Sequence, residues 1–207
     1  MTKIKICGLK RSTDIYFANL AKPDYIGFVF APSKRRVERC KAAMLKEQLL
    51  PEIQAVGVFV NATVSEIIDL VQQKIIDGVQ LHGDENQAYI EALREKITCP
   101  IIKAVRMQKR ASFEEVLHLP VDYFLLDTYV KNGYGGTGHT FDWKMIPKIQ
   151  QPFFLAGGLS VKNIEAAILQ VKPFCVDISS GVETNGVKDP DKMIEIVKKV
   201  RHITDLA

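Results

Sequence analysis

The chain has 207 residues, 47% hydrophobic and 25% charged, the balance of an ordinary water-soluble globular protein with one sizeable core. Its net charge of +4 is spread along the sequence and gives no argument for nucleic acid, and no apolar stretch approaches the roughly 18 residues that span a bilayer. Met1-Thr2-Lys3-Ile4-Lys5 enters a strand rather than a signal-peptide apolar run, and Cys7, Cys40, Cys99 and Cys175 form no C-x-x-C pair, which argues against disulfides and structural zinc and for a reducing cytoplasm.

Short apolar runs alternate with longer amphipathic ones from end to end. The predicted strands are Ile4–Cys7, Tyr25–Phe30, Ala55–Val60, Gly78–His82, Ile101–Val105, Tyr123–Asp127, Phe153–Ala156 and Cys175–Ser179. Helical spacing of apolar residues predicts helices over Ser65–Val71, Ala88–Ile97, Val161–Val171 and Met193–Ile203. Asn86 and Ser160 are expected N-caps, and Asp189-Pro190 opens the last helix with proline in its first turn. Eight β-then-α units without a linker predict an α/β chain forming one (β/α)8 (TIM) barrel over residues 1–207, near the lower size limit of that fold. A doubly wound open sheet is the alternative, and the run of eight near-continuous apolar strands favours the barrel.

In a barrel the residues just after each strand share one face, where the chemistry of this fold sits. Here they are Cys7-Gly8, Ser33-Lys34-Arg35-Arg36, Asn61, His82-Gly83, Arg106, Asp127-Thr128, Gly157-Gly158 and Ser179-Ser180-Gly181. Cys7 is a nucleophile, a base, a metal ligand or a buried small hydrophobe, and its place before a glycine at a strand tip speaks against the last. Cys40, Cys99 and Cys175 fit buried filler better. The turns holding Gly157, Gly158, Ser180 and Gly181 follow the seventh and eighth strands, the usual phosphate position of the fold, where free N–H groups favour an anion. Asp127 ends the apolar run Tyr123-Phe124-Leu125-Leu126, and desolvation there can keep its carboxyl protonated as an acid. Arg35 or Arg36 offers a planar fork to a substrate carboxylate, or belongs to a solvated basic loop. His82 is a satisfied buried histidine or a substrate contact. Tyr134-Gly135-Gly136-Thr137-Gly138 lacks the ending of a P-loop and suits a lid.

Taken together, Lys5-Ile6-Cys7-Gly8, Gly27-Phe28-Val29-Phe30, Ser33-Lys34-Arg35, Val56-Gly57-Val58-Phe59-Val60-Asn61, Val79-Gln80-Leu81-His82-Gly83, Leu126-Asp127-Thr128, Gly136-Thr137-Gly138, Phe141-Asp142-Trp143, Ala156-Gly157-Gly158-Leu159 and Asp177-Ile178-Ser179-Ser180-Gly181-Val182-Glu183 resemble the phosphoribosylanthranilate isomerases of tryptophan biosynthesis, over essentially the whole chain. The resemblance implies an isomerase performing an Amadori rearrangement of N-(5'-phosphoribosyl)anthranilate. It implies Cys7 as general base, Asp127 as general acid, the substrate phosphate on the two glycine turns and the anthranilate carboxylate near Arg35. It implies no organic cofactor and no metal, with a small phosphosugar as the partner rather than nucleic acid or membrane, and a monomer or homodimer. Another phosphosugar barrel enzyme, such as an indole-glycerol-phosphate synthase, would be expected to use catalytic lysines where this chain offers Cys7. A non-catalytic phosphosugar-binding barrel could lose Cys7 and Asp127, and both are present.

The last expectation follows from strand alternation alone. If Cys7 points inward so does Lys5, and the same count from Ser179 and His82 puts Asp177 and Gln80 inside. Closure of the barrel makes the first and last strands neighbours, so Lys5 and Asp177 should meet as a buried pair beneath Cys7. The alternative is that Lys5 tilts out and Asp177 is satisfied by backbone N–H groups.

Overall fold

In the computed structural model, which describes residues 1–107, 111–128, 142–147 and 149–205, eight parallel strands close into a barrel. They are β1 (Lys3–Cys7), β2 (Tyr25–Val29), β3 (Gln54–Phe59), β4 (Gly78–Leu81), β5 (Ile101–Met107), β6 (Tyr123–Thr128), β7 (Phe153–Leu155) and β8 (Cys175–Ile178), in that order around the ring with β8 beside β1. The helices are α1 (Ser12–Ala21), α2 (Arg39–Glu47), α3 (Val64–Gln72), α4 (Gln87–Arg94), the single turn α5 (Ala111–Glu114), α6 (Ile164–Val171) and α7 (Pro190–Asp205). The open-sheet alternative is thereby excluded. The expected eight β-then-α units hold less strictly. Among the described residues β6 is followed by a 3-10 turn at Trp143–Met145, and β8 by another at Ser180–Val182 and a short hairpin, β9 (Glu183–Thr184) with β10 (Val187–Lys188).

Alternation along the strands separates two cores. One side of each strand packs under the helices, with Ile4, Ile6, Phe28, Leu81, Phe124 and Leu155 among the side chains buried there. The other side fills the barrel interior with Tyr25, Val56, Ile102, Leu125, Phe154 and Cys175. Burying each large apolar side chain contributes about 1.5–3 kcal/mol. The interior stack is capped toward the strand C-termini by polar groups, and that is where the site lies.

Local chemistry explains most helix starts. Asn86 accepts the Tyr89 N–H at 3.0 Å, and Thr63 and Glu66 form a reciprocal capping box on α3. Asp189 accepts the N–H groups of Asp191 and Lys192 ahead of a helix that begins at Pro190. Ser160 does not cap α6. The Asn163 side chain accepts the Ser160 N–H at 2.8 Å and donates to the Gly158 carbonyl at 3.0 Å. This folds 160–163 into a turn and delays the helix to Ile164. Cys40 is a second correction: it lies exposed on the first turn of α2 rather than buried, while Cys99 is half-buried and Cys175 buried.

Candidate functional site

Cys7 ends β1 directly opposite Gly27 of β2. A Cβ on Gly27 would stand 2.6 Å from the Cys7 sulfur, so only glycine leaves room for the thiol. Two residues below, Lys5 is wholly buried, and its Nζ donates to both oxygens of Asp177 at 3.0 Å across the β1–β8 seam. The expected buried pair is therefore present, and the tilted-out alternative is not. Burial works against the Lys5 charge, but Asp177 and Cys7 outweigh it and hold the ammonium above its ordinary pKa. For Cys7 the balance goes the other way. Burial pushes the thiol above its ordinary value, against the pull of Lys5 and Lys188. The neighbouring cations lessen the cost of a thiolate here without making it the resting form.

Beside Cys7 lies a cluster that the sequence reading reached only in part. Arg35 crosses the end of β1, where a Cβ on Gly8 would meet its Cδ at 2.5 Å. Its Nε and Nη2 donate to the two oxygens of Glu183 at 2.7 and 2.8 Å. Lys188, buried on β10, donates to Glu183 Oε1 and to the Ser179 carbonyl, both at 2.8 Å. Burial disfavours the Glu183 charge, yet Arg35 and Lys188 hold its carboxyl down to about 2. Burial also pulls Lys188 below its ordinary value, offset only in part by Glu183. Arg36 turns outward to the exposed Glu38 at 3.2 Å. Of the two arginines, the one that reaches the strand-tip face is Arg35.

On the opposite side of the opening, Asp127 is buried at the end of β6. Its Oδ1 accepts the Thr128 N–H at 2.8 Å, and His82 Nε2 stands 3.3 Å from Oδ2. The Gln80 amide nitrogen lies 2.9 Å from His82 Nδ1. Nε2 on the far side of the ring faces Asp127 and is buried without a hydrogen bond of its own. Gln80 points inward as alternation predicts, and its Oε1 is buried without a hydrogen-bond partner.

The turns after β7 and β8 complete the face. Gly157 has φ +86, and a Cβ there would collide with Thr128 Oγ1 at 2.1 Å, so this turn packs directly on the tip of β6. A Cβ on Gly181 would meet the Leu159 carbonyl oxygen at 1.9 Å, which locks the second turn against the first. Gly157, Gly158, Ser180 and Gly181 are all partly solvent-accessible. Ser180 and Gly181 open the 3-10 turn, where the first N–H groups have no partner within the helix. The lid expected at 134–138 lies outside the described residues. Arg106 pairs with Asp84 at 3.3 Å. Asn61 accepts the Asp84 N–H at 2.8 Å, so both brace the loop after β4.

Glu183, Lys188 and Gly27 are the site residues that sequence reasoning left without a role. A signal existed for Lys188: Asn185-Gly186 is a strong two-residue hairpin signature, and it forms the turn between β9 and β10. A recess of about 390 Å³ lies behind Arg36, lined by Phe30, Glu38, Phe59 and Leu70 among others. Neither Cys7 nor Asp127 lines it. Among the described residues, no three His, Cys, Asp or Glu side chains group as a metal site, and no helix is long and apolar enough to cross a membrane.

Residues 4–199 match the family model for N-(5'-phosphoribosyl)anthranilate isomerase. The chain is 49% identical over 203 residues to N-(5'-phosphoribosyl)anthranilate isomerase of Endomicrobium trichonymphae, covering 98% of this chain and all of that one. It superposes on the crystal structure of phosphoribosyl anthranilate isomerase from Thermus thermophilus with a TM-score of 0.86 at 30% identity, over 98% of this chain and 100% of that one. A further similar structure is a phosphoribosyl anthranilate isomerase in complex with reduced 1-(o-carboxyphenylamino)-1-deoxyribulose 5-phosphate. It has a TM-score of 0.81 at 33% identity, again over 98% and 100% of the two chains.

Proposed function

The chain belongs to the N-(5'-phosphoribosyl)anthranilate isomerase family, and from that premise we propose that it converts N-(5'-phosphoribosyl)anthranilate to 1-(2-carboxyphenylamino)-1-deoxyribulose 5-phosphate with Cys7 as base and Asp127 as acid. Asp127, in its protonated form, gives its proton to the furanose oxygen. The C1–O bond breaks and the nitrogen lone pair forms the C1=N iminium. Cys7, once its own thiol proton has passed to solvent, takes the proton from C2 as the thiolate, and the C2–H electrons form the C1=C2 bond as the iminium is neutralised. The resulting enolamine then tautomerises, C1 gaining a proton and the C2 hydroxyl losing one, to leave the ketone.

The observation that carries this reading is the pairing of a thiol and a carboxyl at the tips of β1 and β6 in one closed barrel. The raised pKa of Cys7 fits the sequence of events. Its thiolate is needed once the substrate iminium brings positive charge beside the sulfur, and an adjacent opposite charge favours the ionised form. The phosphate is assigned to the turns of Gly157, Gly158, Ser180 and Gly181, the anthranilate carboxylate to Arg35, and a substrate contact to His82. Residues 1–207 act as one catalytic barrel, as a monomer or homodimer. A cytoplasmic setting is supported by four cysteines that are all free. Freshly prepared phosphoribosylanthranilate tests the reading: its fluorescence is expected to fall on addition of the protein, and no loss above the uncatalysed rate would reject it.

A further inference from the structure

Arg35 has two edges that can receive a carboxylate two-pronged, one formed by Nε with an Nη and one by the two Nη atoms. The first is already taken. Glu183 accepts from Nε at 2.7 Å and from Nη2 at 2.8 Å. Glu183 is itself held: its Oε1 receives Lys188 Nζ at 2.8 Å, and its backbone carbonyl receives Lys192 Nζ at 2.9 Å. Lys188 is anchored in turn by the Ser179 carbonyl. The Arg35 stem lies over Gly8, where any side chain would displace it. The guanidinium is thus fixed in plane and in rotation before substrate arrives.

We propose that Glu183 is a positioning residue for substrate selection: it holds Arg35 by the Nε–Nη2 edge so that the remaining Nη1–Nη2 edge receives the carboxylate of the aryl amine. The inference rests on the assignment of Arg35 to that carboxylate. Charge explains why Lys188 belongs to the device. An arginine paired only with a glutamate would be neutral overall and would attract a second carboxylate weakly. With Lys188 included, two cations face one carboxylate, and the cluster keeps the positive charge that an incoming anion needs. A rigid fork also binds with less ordering cost than a free arginine.

The test compares phosphoribosylanthranilate with the phosphoribosyl derivative of aniline, which lacks the carboxylate. Glu183→Gln is expected to raise KM for the first about tenfold, the lower end of the loss of a charge-assisted hydrogen bond, with kcat changed less than about threefold. Activity on the aniline compound should stay near that of the unmodified protein, so the selectivity ratio falls about tenfold. Glu183→Asp keeps the charge and should lie between the two, and it carries the test if Glu183→Gln does not fold. An unchanged ratio in the Glu183 variants, or an equal loss on both substrates, overturns the proposal. Arg35→Ala separates the two levels. If it lowers the ratio while the Glu183 variants do not, only the positioning role fails. If it too leaves the ratio unchanged, the assignment of the carboxylate to Arg35 fails as well.

Discussion

The two halves of the barrel opening carry one proposed proton-transfer group each, and their surroundings are unlike. Around Cys7, at the meeting of β8, β1 and β2, stand three cations and two carboxylates in an interlocked set: Lys5 with Asp177, and Arg35 with Glu183 and Lys188. Around Asp127, on β6, stand an imidazole, a carboxamide behind it and one backbone N–H. The comparison teaches that cations near a thiol do not by themselves make a thiolate. Burial of Cys7 outweighs Lys5 and Lys188, and the thiol stays above its ordinary value. The cations of the ion-pair half lessen the cost of a negative charge on the sulfur, whereas Asp127 faces an imidazole and a backbone N–H.

The sharpest way to break the comparison is to remove the two groups themselves. Cys7→Ser and Asp127→Asn are each expected to lose about 10²–10⁴-fold in kcat, the usual contribution of one general acid or base. Cys7→Ser should still bind inorganic phosphate or a phosphosugar analogue. Near-normal turnover by the serine variant would end the assignment of Cys7 as base. An Asp127→Asn variant that kept its rate and lost only affinity would make Asp127 a binding residue.

Disturbing the Lys5–Asp177 pair should also be costly in folding. Lys5→Met leaves the Asp177 carboxylate buried and unpaired, and a loss of about 3–5 kcal/mol is expected in urea unfolding. Adding Asp177→Leu should restore most of it. A loss under about 1 kcal/mol for Lys5→Met would mean that the pair is not the buried, mutually dependent one described.

Next in size is the contrast between adjacent arginines. Arg35→Ala is expected to raise KM by about one to two decades, and Arg36→Ala, whose partner Glu38 is exposed, to change it little. Equal effects in steady-state kinetics would remove the distinction.

The pH dependences are the finest test. Because burial lifts the Cys7 thiol above its ordinary value of 9.0, the ultraviolet thiolate absorbance that is lost in Cys7→Ser should keep growing with pH through that value. A plateau well below it would show the thiolate to be the resting form. Glu183 works in the opposite sense. Its folded value of about 2 lies below the ordinary 4.5, so its contribution to stability is complete above about pH 4.5 and is lost as pH falls toward about 2. Thermal unfolding across that window should be less steeply pH-dependent in Glu183→Gln than in the unmodified protein.

Alternation and local capping were legible in the residues alone. Period-two spacing and the closure of a barrel were enough to pair Lys5 with Asp177, 172 residues apart, because both rules are geometric and hold whatever the intervening loops do. Asn86 and Asp189-Pro190 could be read because a cap satisfies N–H groups within its own turn. Ser160 misled for the same kind of reason in reverse. Two residues of capping type compete there, and Asn163, reaching back to Gly158, decides the helix start. Cys40 was misread because an average preference for burial says nothing about which face of a helix a residue occupies.

What the tertiary structure alone decided was how side chains from distant strand tips divide the space at the opening. That Arg35 rather than Arg36 reaches Glu183 depends on its path past Gly8 to a residue 148 positions away, and no local pattern encodes that path. The role of Gly27 is likewise visible only once the Cys7 sulfur occupies the volume its side chain would need. By itself the sequence determined the barrel, the two faces of each strand and the chemical types gathered at one end, since these follow from periodicity and from which residues end the strands. Which of those groups pair, and how far burial or neighbouring charge governs each, depends on distances of a few ångströms between chain segments far apart in sequence, and only the folded arrangement sets those distances.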